Sequence, residues 1–263
     1  RQTQDILNLS NAIGKAPTDL AEGLYQTLSN QVVDAGEALN FTSEAAKLAT
    51  VTSAETGDAV NALSSVMNSY GLAASEAEHI SGTLFKTIEL GRLRLSEIAN
   101  VIGRVTPLTS RLGISWEETA AAIATMTRQG VRADTAITQL RAVTQKLLKP
   151  TEGIKNLYRE WGVETGEEAI EAFGGLVGVL QKLSEETGGN SQEMAELFRR
   201  VRAIVGTFGI LQDDGKLVAD TLAEIENATT AATEAWERFS ESDAQELTRT
   251  MQQFKNEMLA LGK

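Results

Sequence analysis

The 263 residues include no cysteine and one histidine, His79. A disulfide framework is excluded, and so are zinc sites built on Cys and His and Cys–His nucleophile chemistry. His79 sits between Glu78 and Ile80 in a helical pattern, and neither Glu76 nor Glu78 shares its face closely enough to make a metal site. Aromatic residues make up only 5% of the chain, too few to line a sugar-binding cleft with stacking rings. There are three prolines, which favours helix. No run approaches the ~18 apolar residues of a membrane span. The most apolar stretch, Ala172 to Leu180, is short and bounded by Glu171 and Lys182. No glycine-rich phosphate loop is found, and Asp213-Asp214 lacks the further acids of a calcium loop. No cofactor, metal or catalytic residue is expected.

Charge of one sign is also scarce. Lys and Arg number 24 against 36 Asp and Glu, giving a net charge of −12. That balance opposes a specific nucleic-acid groove, which needs a basic face. A locally basic stretch (Arg92, Arg94, Arg104, Arg111) reads either as solvated helix ends or as a docking face for an acidic partner. Asn8, Asn40 and Asn227 fit the glycosylation spacing, a chance match without evidence of secretion. The chain begins with Arg and runs helical to its last residues, so it is expected to be a fragment of a longer protein.

What is present is helix, repeatedly stopped. Val60, Leu63, Met67 and Tyr70 recur at spacings of three and four, as do Ile80, Leu84, Phe85 and Ile88, and Ile137, Leu140, Val143 (or Thr144) and Leu147. Such spacing argues for amphipathic helices. Glycines at 71, 91, 103, 113 and 130 read as helix stops, since glycine enters the left-handed region without steric cost. Ser75 with Glu78, Ser115 with Glu118 and Thr165 with Glu168 have capping-box spacing. Thr18 and Ser191 read as further N-caps. Pro107 reads as lying just past a helix end, and Lys149-Pro150 as ending another helix. A short helix with Ile154, Leu157, Tyr158 and Trp161 inward stops at Gly162. One helix is expected from Ile170 through Leu183, with Gly174 and Gly178 making a close-packed seam or simply tolerated within it. A second is expected to carry Leu197, Phe198, Val201, Ile204, Val205 and Phe208.

After Gly215 the glycines cease until Gly262. Val218, Leu222, Ile225, Thr229, Ala232, Trp236 and Phe239 follow 4-3 spacing. After a break at 240–243, Leu247, Met251, Phe254, Met258 and Leu261 resume it. The pattern suits an ordinary bundle helix or a coiled coil, and these apolar positions are a candidate oligomer seam. The fold class is all-α: an irregular bundle of many short Gly-terminated helices, followed by longer helices with coiled-coil-like spacing. Residues 1–210 are expected to form the helical core and 211–263 a long-helix region.

Several stretches, in order, resemble phage tail tape measure proteins over roughly residues 10 to 210. They are Leu24-Tyr25-Gln26-Thr27-Leu28-Ser29, Ala45 to Ala49, Met67-Asn68-Ser69-Tyr70-Gly71-Leu72, and Leu84-Phe85-Lys86-Thr87-Ile88-Glu89-Leu90-Gly91. Gly103-Arg104-Val105-Thr106-Pro107, Leu112-Gly113-Ile114-Ser115-Trp116-Glu117-Glu118 and Met126 to Gly130 follow. The resemblance implies a structural, non-enzymatic virion protein that lies inside the tail tube, sets tail length during assembly in the host cytoplasm, and leaves on genome delivery. It implies tail-tube subunits, tail assembly chaperones and tail-tip or distal tail proteins as partners, and a homo-oligomer is expected. Because a ruler works by extension at ~1.5 Å per helical residue, the stopped helices of 1–210 suit a folded module, with the rod starting after Gly215. An acidic helical adaptor or chaperone-like binding module is the alternative reading, and a cell-wall hydrolase the third.

Overall fold

The computed structural model describes residues 2–261, with side chains described for 3–259. Among them are seventeen α-helices, three short 3-10 turns and no strand, so the fold is all-α. The chain opens with α1 (Gln2–Ile13), α2 (Pro17–Ser29), α3 (Ala38–Val51), α4 (Thr56–Tyr70), α5 (Ala77–Gly91) and α6 (Leu95–Ala99). There follow α7 (Thr106–Arg111), α8 (Trp116–Arg128), α9 (Ala133–Leu148), α10 (Glu152–Glu160), α11 (Gly166–Ala172) and α12 (Leu176–Glu186). The series closes with α13 (Ser191–Phe198), α14 (Val201–Ile210), α15 (Lys216–Glu226), α16 (Ala231–Ser240) and α17 (Asp243–Leu261).

The helices form two compact units. Of the described residues, the first holds 2–86, Arg94–Asn100 and 228–261. In it α2, α3 and α4 pack on one another, α6 lies on α4, α16 on α3 and α17 on α1. With so few aromatics the core is made of small and branched side chains: Ala45, Ala46, Leu48, Ala49, Val60, Leu63, Val66 and Met67 are fully buried. Small residues let the helix axes approach. A methyl group at Gly23 of α2 would sit 2.4 Å from Thr56 Cγ2 of α4. Asp19 fixes the same crossing, accepting the Thr56 N–H at 3.0 Å and the Thr56 hydroxyl at 2.5 Å. This carboxylate caps α4 from another helix, satisfying an amide that α4 cannot.

The second unit holds Thr87–Leu93 and Val101–Asn227. Its centre is α8, where every residue from Thr119 to Thr127 is buried. A helix apolar or small on all sides belongs inside, and α7, α9, α14 and α15 surround it. Gly206 lets α14 meet α9, since a methyl there would lie 3.0 Å from Val143 Cγ2 and 3.1 Å from the Gln139 carbonyl oxygen.

Local expectations hold in part. Gly71, Gly113, Gly130 and Gly162 do adopt positive φ, at 66°, 73°, 91° and 76°. Gly91 is the last residue of α5 but is not left-handed; it leaves room for Thr127 Oγ1, 2.5 Å from where a methyl group would stand, and the left-handed residue is Arg92 at φ 54°. Gly103 lies inside the 3-10 turn Ile102–Arg104. Ser115 and Thr165 cap their helices as expected. Ser75 falls within the 3-10 turn Ala74–Glu76. Thr18 is already helical, because Pro17 starts α2 with its φ preset and no N–H to satisfy. Pro107 likewise lies in the first turn of α7 rather than beyond a helix end. Asn190, not Ser191, caps α13.

Two expected helices are each broken in two. Gly174 and Gly175 both take positive φ, 70° and 115°, and separate α11 from α12, so no Gly174–Gly178 seam exists. Arg199, left-handed at φ 52°, separates α13 from α14. The 4-3 pattern after Gly215 is also spread over three helices. Val218, Leu222 and Ile225 belong to α15, which packs on α8 in the second unit. Thr229 lies in the turn before α16, Ala232, Trp236 and Phe239 belong to α16, and Leu247 to Leu261 belong to α17, all in the first unit.

Candidate functional site

The motif residues sit mainly at helix ends and on the surface. Tyr25 is 72% exposed on α2. At the end of α4, Asn68 donates to the Asn30 carbonyl at 3.1 Å, Tyr70 is half-buried, and the Gly71 and Leu72 amides both return to Met67. Phe85 is half-buried on α5. Gly103, Arg104, Pro107, Gly113 and Gly130 are exposed in the turns and first helical turns of the second unit. Five of the motif residues thus belong to the first unit and six, Gly91 included, to the second. Gly71, Gly91, Gly113 and Gly130 stand at or just past helix ends, Pro107 in a first turn, and Tyr25 and Phe85 inside helices.

Among the described residues no group of His, Cys, Asp and Glu is placed to hold a metal ion, and no helix is long and apolar enough to cross a membrane. His79 Nδ1 lies 3.0 Å from Thr229 Oγ1, a bond between α5 and the turn before α16. Glu118 is a carboxylate perturbed by burial. Burial pushes its pKa above the ordinary carboxylate value, backbone N–H groups of Leu176, Ser115 and Val177 oppose the shift, and the Glu226 charge adds to it. Its bonds all go to helix-starting amides, so it holds structure.

The largest uncovered apolar face lies on α17, where Leu247, Met251, Phe254 and Met258 are 53–64% exposed. The side chain of Leu261 falls outside those described. The face that α17 turns inward is polar. Gln245 donates to the Ile13 carbonyl, Asn256 donates to Ser10 Oγ at 2.9 Å and to Asn11 Oδ1 at 2.7 Å, and Gln252 donates to Asn256. The end of α1 offers polar atoms there, so amide side chains outcompete methyl groups for the contact. Of the other seam positions, Val218 and Ile225 are buried against their own unit and Leu222 is half-buried. Trp236 packs against the Ile6, Ile13, Leu20 and Ala46 cluster, and Phe239 is exposed.

The basic residues singled out in the sequence, Arg92, Arg94, Arg104 and Arg111, are each exposed, and Arg111 pairs with Glu167 at 3.3 Å. A further arginine group was not singled out in the sequence: Arg199, Arg200 and Arg202 stand at the α13–α14 break, and Arg200 and Arg202 line a groove with Arg141 of α9. Three arginines within four residues of an acidic chain were the available signal.

The family described as "Phage-related minor tail protein" matches residues 3–198, three quarters of the chain. The chain belongs to that family. It is 24% identical to the tape measure protein of Pneumococcus phage Dp-1, over 80% of this chain and 18% of that protein. It is 23% identical to a probable tape measure protein of Clostridium phage phiCD119, over 95% of this chain and 28% of the relative. No solved structure matches it. The chain therefore spans less than a third of the length of these relatives. They are named for a structural role rather than an enzymatic one, and the phage-related minor tail protein family associates the chain with the virion tail and with tail assembly.

Proposed function

We propose that this chain is a folded helical module of a tape measure protein, which sits inside the tail tube, sets tail length during assembly in the host cytoplasm, and leaves when the genome is delivered. The observation that carries this reading is the frequency of helix stops. The longest described helix, α17, has 19 residues and so extends only about 28 Å. A measuring rod needs long uninterrupted helix, and the relatives have ample further length to supply it. The core at 1–210 is the module, and the rod begins within 211–263. Its candidate continuation is α17, whose outward Leu247, Met251, Phe254 and Met258 keep 4-3 spacing and form a seam for another copy's helix. The tail-tube protein, the tail assembly chaperones and the tail-tip proteins are the partners that fit this placement.

Deleting helical turns in frame tests the reading. Deletions within residues 60–200 of the full-length protein should abolish or misdirect tail assembly. Deletions in its long-helix regions should shorten tails in proportion. Tails that shorten in proportion to deletions within 60–200 would make the module itself the ruler and overturn the proposal.

A further inference from the structure

We propose that the face formed by α9 and the start of α14 docks an acidic amphipathic helix of a partner protein. Val201, Val205 and Phe208 follow one face of α14 at spacings of four and three and are 75%, 44% and 39% exposed. Leu148 of α9 is 39% exposed as well. A contiguous exposed apolar stripe of this kind marks an interaction surface. Beside it a groove of about 450 Å³ runs between the two helices, lined by Thr138, Arg141, Gln145, Arg200, Val201 and Arg202.

Charge decides what fits. Arg141, Arg199, Arg200 and Arg202 are all exposed, and their guanidinium groups form no ion pair among the described residues. Like charges gathered without counter-ions repel, and here they stay gathered in a chain with 36 acidic residues available to neutralise them. Arg199 is left-handed at φ 52°, a conformation that non-glycine residues seldom adopt. Arg200 then leaves α14 without a side-chain cap, and no acidic residue stands in the first turn. The free amides there favour a carboxylate as well. An apolar stripe bordered by arginines and an uncapped helix start matches a helix with one apolar face edged by Glu or Asp. The apolar stripe at its centre would be left uncovered by a nucleic-acid backbone.

The test uses the intact chain and two fluorescein-labelled helical peptides of about eighteen residues. Both carry leucine at 4-3 spacing, one with glutamate flanks and the other with lysine flanks. The glutamate peptide should bind saturably and at least about tenfold more tightly than its lysine twin at low salt, and the preference should shrink as salt rises. The triple change Arg141→Gln, Arg200→Gln, Arg202→Gln should erase the preference, and the corresponding Glu changes should reverse it. Val201→Ser with Phe208→Ser should weaken both peptides. Helical circular dichroism should stay unchanged in every variant, since these side chains are exposed. Equal binding of the two peptides, no binding, or a preference that survives the arginine changes would overturn the proposal. So would tighter binding of a random DNA duplex at the same face. Self-association of the chain that Val201→Ser with Phe208→Ser abolishes would overturn it too, by making a second copy the occupant.

Discussion

The Glu118 carboxylate accepts the backbone N–H of Leu176 at 2.9 Å, tying α8 to the first turn of α12 across 58 residues of chain. The same carboxylate takes the N–H groups of Val177 and Ser115, so one side chain serves the start of two helices. Ser115 answers by accepting the Glu118 amide at 3.0 Å. Gly175 makes room for the arrangement, since a methyl group there would stand 2.1 Å from Glu118 Oε1.

Replacing Glu118 should therefore destabilise the second unit. Glu118→Ala strands amides at two helix starts, and a loss of about 1–3 kcal/mol is expected in urea unfolding. Glu118→Gln should cost less and should remove a pH dependence. Burial raises the folded pKa above the ordinary 4.5, so the fold binds this proton more tightly than the unfolded chain does. The stability from that proton is complete below the unfolded pKa and is lost as pH rises through the folded one. Relative to Glu118→Gln, the native chain should be more stable at about pH 4 than at about pH 7. An opposite trend would show that Glu118 is held mainly by its hydrogen bonds as an anion.

Gly82 of α5 should tolerate no side chain. A methyl group there would lie 2.1 Å from the Ala228 carbonyl oxygen and 2.4 Å from that of Thr229, where the chain leads into α16. Gly82→Ala should destabilise the first unit by about 2 kcal/mol and speed proteolysis of α16 and α17. At Gly36 a methyl group would meet nothing within 4 Å, and φ lies outside the left-handed range, so Gly36→Ala should stay within about 0.5 kcal/mol of the native chain. Equal effects of the two changes would contradict this packing.

Tyr158 is buried in an aromatic group, its ring centroid 5.8 Å from that of Trp161, which stands 5.0 Å from Phe173. Its hydroxyl has no hydrogen-bond partner among the described residues, and burial drives its pKa upward. Tyr158→Phe keeps the ring contacts and removes a buried polar atom, so thermal unfolding should show unchanged or slightly raised stability. A clear fall in melting temperature would mean that the hydroxyl is bonded.

Helices were legible because their cause is local. The spacing of Val60, Leu63, Met67 and Tyr70, and the left-handed stops at Gly71, Gly113, Gly130 and Gly162, depend on neighbours in sequence. Gly23, Gly82, Gly91 and Gly206 answer instead to atoms far along the chain, so their reason could not be read locally. The loop at Asp213-Asp214-Gly215 was legible from its Asp and Gly content, whereas the break at Arg199 uses a non-glycine, non-Asx residue in the left-handed region, which the sequence pattern does not signal. The 4-3 spacing of α17 marks its apolar face but does not tell which face packs on α1, because that depends on the polar end of α1. The arginines around the α9–α14 groove were legible only in part, since Arg141 joins the other three through folding.

A distance inside the second unit tests the central claim, that this region works as a folded module. Arg111 and Glu167 form an exposed ion pair at 3.3 Å, and the chain has no native cysteine to compete for labels. Spin labels on the double variant Arg111→Cys, Glu167→Cys can be read by pulsed electron resonance in assembled tails. The folded module predicts a separation of about 10–25 Å between the labels, whereas a continuous helical rod would place them about 84 Å apart. A distribution centred near the longer distance in assembled tails would contradict the account.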